Sequence, residues 1–596
     1  MIAGYTSIQL QFPWRKEPIV NTFRCSLRTR LVLSTLRVAL SIVWLTPTAS
    51  PLLAQSVARV IGSQNTATAD PPVVRPNEKP CVVQLYSGLQ FADFSIKTFE
   101  FTPPADCPGP WEKIVFTADF NVTAGRQFDR TAVVNLGNVN IYFGTTPEPR
   151  RHLSPTWHVE RDETDYGALF ATSQSGQVIL GNVVNSTYTG VISGSANLEF
   201  YPAHGKRDRD DAQRTADQVL PLTQSNGQGG INEPAFLFKP TDQLATTFTL
   251  PRNLERAYLD VITQSQSADE FWYTCVPNDV TGELQSCGST AFREAEVAID
   301  GQPAGVAPVY PWIYTGGIDP FLWEPIPGAQ TLNFVPYRVD LTPFAGLLSN
   351  GQPHTIALSV FNANSYFSAT ATLLLFLDRD SDEVTGEVTA NTIGDGPNPS
   401  VIENLQTDAS GNVSGTVTTS SSRQFEVAGF VNTSHGRVDT EVHQSVNFNN
   451  LQNFAITAST YVQDISQNTE VESRTITRRG FTFFETLQKF GYPLTLNFSF
   501  IVAADGSSSQ VTTASQEFKH DFLTPFFASV VDNTVNAADT LNFNSAGALA
   551  GNTGAKTSQR YSSFNTRGEK YSCSLTAENN VLTSVGEGCS EKDKKE

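Results

Sequence analysis

Positive charge is scarce in this chain. Lys and Arg number 40 against 59 Asp and Glu in 596 residues, so the formal net charge is −19. The body of the chain has no dense basic cluster, which argues against a nucleic-acid partner. Histidines number only seven, and no cysteine pair has zinc-ligand spacing with histidines beside it. No metal is therefore expected. There is no G-x-S-x-G elbow and no G-x-x-x-x-G-K-[ST] loop, so neither serine-hydrolase nor P-loop chemistry has its motif. After the first ~55 residues, no segment holds the ~18 to 20 unbroken apolar residues of a spanning helix. Helical periodicity is scarce as well.

What remains is rich in Thr, Ser, Asn, Gln, Gly and aromatics, with 39% hydrophobic residues. That profile favours β structure in an exported protein. Short alternating runs such as EKIVFTADFNV (112–122), TAVVNLGNVNIYFG (131–144) and TLNFSFIVAADGSSSQVTT (495–513) read as strands joined by polar turns. A length of 596 residues calls for two or three cores.

The first residues differ from all others. A lead carrying Arg15, Lys16, Arg24, Arg28 and Arg30 precedes the apolar run 31–45 and then TPTASPLLAQS. This is the layout of a secretory signal spanning 1–54, with an uncleaved anchor as the alternative and the only expected route to a membrane. Its loss takes away six basic residues and one acidic residue, moving the formal charge from −19 to −24. Such acidity suits a cell wall, the extracellular space or an acidic lumen such as a vacuole. The expected order is then a linker (55–79), a β-sandwich (80–235), a second β-sandwich (236–383) and a β-rich C-terminal region (384–596). Polar stretches at 204–218 and 224–234 read as an exposed loop and a connection.

Without Cys25, the cysteines form three local pairs: Cys81 with Cys107, Cys275 with Cys287, and Cys573 with Cys589. Neighbour pairing is the expected disulfide framework, among the fifteen that six cysteines allow. The N-glycan acceptor pattern occurs at Asn121, Asn185, Asn412, Asn432 and Asn497.

Tryptophans outside the leader all fall before residue 384, and most lie in dense polar-aromatic stretches. WHVERDETDY (157–166) joins Trp157 to Arg161 and Asp162. SADEFWYTCVPND (267–279) sets Glu270 beside Trp272 and Tyr273. VYPWIYTGGIDPFLWEPI (309–326) holds Trp312, Tyr314, a Gly-Gly turn, Asp319 and Trp323. Aromatic loops stiffened by proline suit a wall on which sugar rings stack, with Arg161 and Asp319 meeting hydroxyls. All three are expected to line one concave surface between the two sandwiches.

These segments, with CPGPW (107–111), GRQFDR (125–130), YFGTTPEPR (142–150), FREAEVAIDGQPAG (292–305) and DLTPFAGLLSNGQPH (340–354), resemble the plant and fungal peptide N-glycanase A-type amidases. The likeness covers roughly 80–380. One departure is Glu324, where the family pattern calls for a basic residue. The resemblance implies an all-β fold of two adjacent jelly-roll-like sandwiches. It also implies hydrolysis of the amide between the innermost N-acetylglucosamine and Asn, without metal or cofactor. The partner would be an N-glycopeptide or an unfolded glycoprotein.

That chemistry needs a base for water, a donor for the oxyanion and an acid for the leaving group. Asp129, beside Arg130, is the candidate base. Glu270, against aromatics, is the candidate acid. Glu148, between two prolines, and Asp162 are the further candidates, and Arg161 is the candidate oxyanion donor or a salt-bridge partner. A two-carboxylate glycosidase and a non-catalytic carbohydrate-binding or wall protein are the competing readings.

Overall fold

The structure, a computed structural model, describes residues 59–203, 214–223 and 234–589. The expected signal 1–54 with Cys25, most of the polar loop at 204–218 and nearly all of the connection at 224–234 lie outside the described residues. No described helix is long and apolar enough to cross a membrane.

The first sandwich has eight strands in two antiparallel sheets. One sheet runs Cys81–Phe91, Ile192–Pro202, Trp111–Val122, Thr156–Asp162. The other runs Lys97–Phe101, Gln174–Ile179, Thr131–Leu136, Val139–Thr145. Counted along the chain, the orders are 1-8-3-6 and 2-7-4-5, a jelly roll. Alternation produces its core: in Ile192–Pro202 the side chains of Ile192, Ala196, Leu198 and Phe200 point inward, with half-buried residues between the first of them. Phe101, Phe116, Tyr142, Phe170 and Phe200 fill the space between the sheets.

The second sandwich repeats that order. Its sheets run Ala235–Leu237, Tyr366–Leu377, Leu254–Gln266, Tyr337–Asp340 and Leu244–Thr249, Pro353–Phe361, Glu294–Ile299, Gln302–Pro308. A short strand, Gln218–Pro221, also pairs with Tyr366–Leu377, so this sheet draws on residues before 236.

Residues from Thr385 to Val585 make one twelve-stranded sheet with strands up to 21 residues long. The strand Gly436–Ile456 alternates strictly, burying Val442, Gln444, Val446, Phe448, Asn450, Gln452 and Phe454. Trp272 of the second sandwich packs on Phe448 at 6.1 Å between ring centroids. The second sandwich and the long sheet thus share one apolar core. The buried amides have a separate use. Loop carbonyls without ladder partners must find donors when buried. Asn450, Gln463 and Gln452 donate to the carbonyls of Tyr273, Thr274 and Cys275, each at 2.9 Å.

The residues read as a linker form a strap across all three parts. Ala67 N donates to Pro325 O at 3.0 Å, Asp70 accepts from Gln559 at 2.9 Å, and Arg75 pairs with Glu160 and Glu199 at 2.8 and 2.7 Å. The three expected disulfides are present. Cys81 is bonded to Cys107 with Cα atoms 6.2 Å apart. Cys275 is bonded to Cys287 at 4.5 Å between Cα atoms, and Cys573 to Cys589 at 4.6 Å. Each bridge stays within one part of the fold, and the two sandwiches are not tied to each other covalently. The first fastens the opening strand Cys81–Phe91 to the loop before Trp111, the second closes the loop after Glu270, and the third ties the strand Lys570–Glu578 to the last described turn. Of the glycan acceptors, Asn185, Asn432 and Asn497 are exposed, while Asn121 and Asn412 are half-buried.

Candidate active site

Strand register brings the first two carboxylates together. Thr131 pairs with Thr145, so the strands Thr131–Leu136 and Val139–Thr145 start and end side by side. Asp129 lies just before the first strand and Glu148 just after the second. Both therefore emerge at one end of the same hairpin. Two bonds extend the pairing: Thr146 N donates to Arg130 O at 2.8 Å, and Arg130 N donates to Thr146 Oγ1 at 2.9 Å.

The second sandwich supplies Glu270. Its strand Leu254–Gln266 ends beside Thr131, whose hydroxyl accepts from Gln264 at 3.0 Å and Gln266 at 3.1 Å. A tight turn, Ser267–Asp269, then reverses the chain. Asp269 fixes that turn from inside. It is fully buried, pairs with Arg293 at 2.8 Å, and accepts from the backbone of Asn364 and Ser365. Glu270, the next residue, stays half-buried.

The loop after Tyr314 closes the cluster. Thr315 Oγ1 accepts from Glu148 N at 2.7 Å and donates to Thr146 O at 3.1 Å. Gly316 N donates to Asp129 Oδ2 at 2.9 Å. A methyl group on Gly316 would collide with Glu148 Oε2 and lie 3.4 Å from Asp129 Oδ2. Any side chain here would oblige the Glu148 carboxyl to move. A cleft beside the cluster is lined by Glu148, Thr315, Trp323 and Glu324, with Gln64 and Thr66 of the strap on its wall.

The three carboxyls are half-buried, and Asp129 repels each of the other two. Burial pushes Glu270 up to about 8, with the charge of Asp129 adding to it. Burial and then Asp129 and Glu324 push Glu148 well above the carboxylate range. Burial also raises Asp129, but the Gly316 N–H and Arg130 oppose it. The neighbouring Arg130 alone would hold Asp129 low, and burial outweighs it. Glu148 is served by the Asp129 N–H and by Arg130 in the same way, but it also faces the charge of Glu324, whereas the Gly316 N–H goes to Asp129. Arg130 faces Asp129 and Glu148 alike.

Other expected site residues lie elsewhere. Asp162 is exposed at the edge of the first sandwich, bound to Lys113 at 2.5 Å and capping Thr164. No described contact links it to the cluster. Arg161 pairs with buried Glu163 at 3.3 Å, the salt-bridge arrangement of the two expected for it. The expected aromatic wall is absent from the described surface. Trp157, Trp272, Tyr273 and Trp323 are at most 2% exposed, and Trp312 and Tyr314 are buried too. Trp157 stacks on Phe120 at 5.4 Å, and Trp312 packs on Phe334 at 4.3 Å. These rings have no free face for a sugar. Their chemistry serves a core as well as a binding wall, and the loops that carry them cross between sheets. Trp323 alone lends an edge to the cleft. Asp319 is fully buried beneath the 314–325 loop and lies outside the cleft. Glu324, the departure noted above, pairs with Arg150 at 2.7 Å, so a basic group is supplied from the first sandwich.

The parts played by Thr315, Gly316 and Asp269 were missed in the sequence. The Gly-Gly turn in WIYTGGID was the one visible signal. Among described residues, the ligand atoms of Glu255, Asp378 and His435 lie within 4.8 Å of one another. Arg214 already pairs with Glu255 at 3.1 Å and Ser434 with Asp378 at 2.7 Å, so these groups are in use.

Known proteins resemble this chain. Residues 71–393 match the family of peptide N-acetyl-β-D-glucosaminyl asparaginase amidase A. The peptide-N4-(N-acetyl-β-glucosaminyl)asparagine amidase A of Prunus dulcis is 30% identical over 396 residues, 64% of this chain and 67% of that protein. Solved structures of PNGase F from Flavobacterium meningosepticum (TM-score 0.33, 16% identity, half of this chain, 96% of that one) and of PNGF-II (0.34, 14%, half of this chain, 65% of that one) resemble it distantly. A match covering more than half of the chain and a relative at this identity make it a member of the peptide N-acetyl-β-D-glucosaminyl asparaginase amidase A family, a family of glycan-removing amidases.

Proposed function

We propose that this chain hydrolyses the amide joining the innermost N-acetylglucosamine to Asn in glycopeptides and unfolded glycoproteins, with Asp129 as base and Glu270 as acid. The observation that carries this reading is the meeting of Asp129, Glu148 and Glu270 in one cluster, with Glu148 also lining the cleft beside it. Asp129, the carboxyl best supported as an anion, takes a proton from water as that water attacks the amide carbon. Arg130, facing this side, supports the oxyanion that forms. Glu270, kept protonated by burial, delivers its proton to the leaving nitrogen. Glu148, also neutral, donates a hydrogen bond into the cleft. Asn becomes Asp. The glycosylamine leaves and decomposes to ammonia and the intact glycan.

A retaining or inverting glycosidase would use the same groups on the sugar. A pure sugar binder would want exposed rings, and these rings are buried. A defined glycopeptide at mildly acidic pH, with both products weighed, tests the reading. An Asp peptide with intact glycan supports it. A GlcNAc stub left on Asn means a glycosidase, and an unchanged substrate means a binder. The three disulfides, the acceptor asparagines and the basic-apolar leader also support an exported protein working in an acidic compartment or wall. Secretion of the full chain from a eukaryotic host, with loss of the leader, checks that part.

A further inference from the structure

The long C-terminal sheet has no place in the reaction above, yet it grips the loop that completes the site. Gln516 donates to Pro311 O at 2.6 Å, Gln510 to Ile318 O at 3.1 Å, and Asn580 to Phe321 O at 2.8 Å. Between the last two lies Asp319, fully buried, with one carboxylate oxygen accepting from Phe321 N at 2.8 Å. Its other oxygen, Oδ2, is buried and meets no donor group among the described residues. Within hydrogen-bond reach of the Asp319 side chain lies the carboxyl of Asp539, from the strand Ala528–Phe543 of the sheet. Asp539 also accepts from Asn552 at 3.1 Å through both of its oxygens. Two carboxylates cannot bond to each other. One carboxylic acid and one carboxylate can, and the O–H then satisfies the orphaned oxygen.

We infer that Asp319 and Asp539 share one proton, and that this bond is the latch by which the C-terminal sheet positions Thr315 and Gly316 against Glu148 and Asp129. Asp319 and Asp539 are positioning residues and touch no substrate. The effect on catalysis rests on the reading of Asp129 as the base, whereas the latch itself does not.

The surroundings agree. Burial pushes Asp319 up to about 7, against the pull of the Phe321 N–H, and raises Asp539 as well. The charged groups facing the pair are Arg150 from the first sandwich and Glu324 from the same loop. Arg150 is already committed to Glu324, which burial holds at about 7. A carboxyl raised in the folded state stabilises at low pH, and that stability is lost as pH rises from the ordinary Asp range through the folded value. The latch is therefore shut in acid and opens near pH 7.

Asn at either position donates N–H to its partner carboxylate at any pH, so the latch no longer needs a proton. Melting temperature between pH 4 and pH 8, without substrate, is the first readout for wild type, Asp539→Asn and Asp319→Asn. The wild type is expected to lose stability towards pH 7, and each variant to lose less. The second readout is the alkaline limb of kcat. In Asp539→Asn it should move from about 7, the value of Asp319, to about 8, where Glu270 loses its proton. Asp539→Leu, with neither donor nor acceptor, should lower kcat at every pH, and Asp539→Asn should rescue it. If the melting slopes of both Asn variants coincide with the wild type, the latch is overturned even if Asp539→Leu fails to fold. If the slopes change but Asp129→Asn remains active, the latch stands and the assignment of the base fails.

Discussion

Burial raises Asp129, Glu148 and Glu270, and the charge of Asp129 pushes the other two further up. Arg130 serves Asp129 and Glu148 alike, while the Gly316 N–H favours the anion of Asp129 and the charge of Glu324 opposes that of Glu148. Asp129→Asn and Glu270→Gln keep size and shape while removing titration. Each should cost about 10²- to 10⁴-fold in kcat with little change in glycopeptide binding. Activity should rise as pH climbs through the raised value of Asp129, because the base must be ionised. Asp129→Asn should flatten that acidic limb, and a normal limb would acquit the residue. Gly316→Ala tests the geometry: its methyl collides with Glu148 Oε2. A displacement near 1 Å at a reacting group costs about 10²-fold. Full kcat in that variant would mean the carboxyls do not need this packing. The three acids were legible in the sequence because each stands in a distinctive short motif. The roles of Thr315 and Gly316 were not, because they depend on a loop from one sandwich meeting a hairpin of the other. The tryptophans misled for a related reason: composition does not tell a ring with a free face from one stacked on Phe120 or Phe448.

At the scale of single elements, the strap and the strand Thr156–Asp162 explain why WHVERD is so charged. Burial opposes charge on His158, but Asp119 at 2.7 Å and Glu160 at 3.1 Å hold it at about 9. Burial would raise Glu160, but His158 and Arg75 hold it at about 2. His158 is raised above its ordinary 6.5, so its stabilising contribution is complete below that value and lost as pH rises through about 9. Glu160 is depressed, so its share is complete above the ordinary Glu value and lost as pH falls through about 2. His158→Gln should therefore reduce stability near pH 6 and remove the wild type's decline between pH 6.5 and 9. Denaturant melts at three pH values would check it, and an unchanged decline would remove His158 from the network. The disulfides were legible because each joins cysteines close in sequence, Cys81 with Cys107, Cys275 with Cys287 and Cys573 with Cys589. The polar stretch at 55–79 read as a linker because Pro and Gly break its periodicity. Only the partners Gln559, Glu160 and Pro325, far away in sequence, turn it into a strap.

Over the whole molecule, alternation made the β class legible, and two sandwiches followed from length and the family resemblance. The third region looked different in quality because its inward face carries amides. Asn450, Gln452 and Gln463 serve loop carbonyls of the second sandwich, a use invisible without the partner. The core shared by Trp272, Phe292 and Phe448 implies that the second sandwich does not stand without the sheet. A chain ending at residue 383 should lack a cooperative thermal transition and bind a hydrophobic dye. A sharp melt from that shortened chain would show that the sheet is a separable addition. The central claim is that water attacks the amide carbon at Asp129, and the most direct test is turnover of a defined N-glycopeptide in heavy-oxygen water. The predicted product is a peptide bearing Asp with one heavy oxygen in its new carboxyl, and none from Asp129→Asn. An unlabelled Asn peptide, or Asn still carrying a sugar, would contradict it.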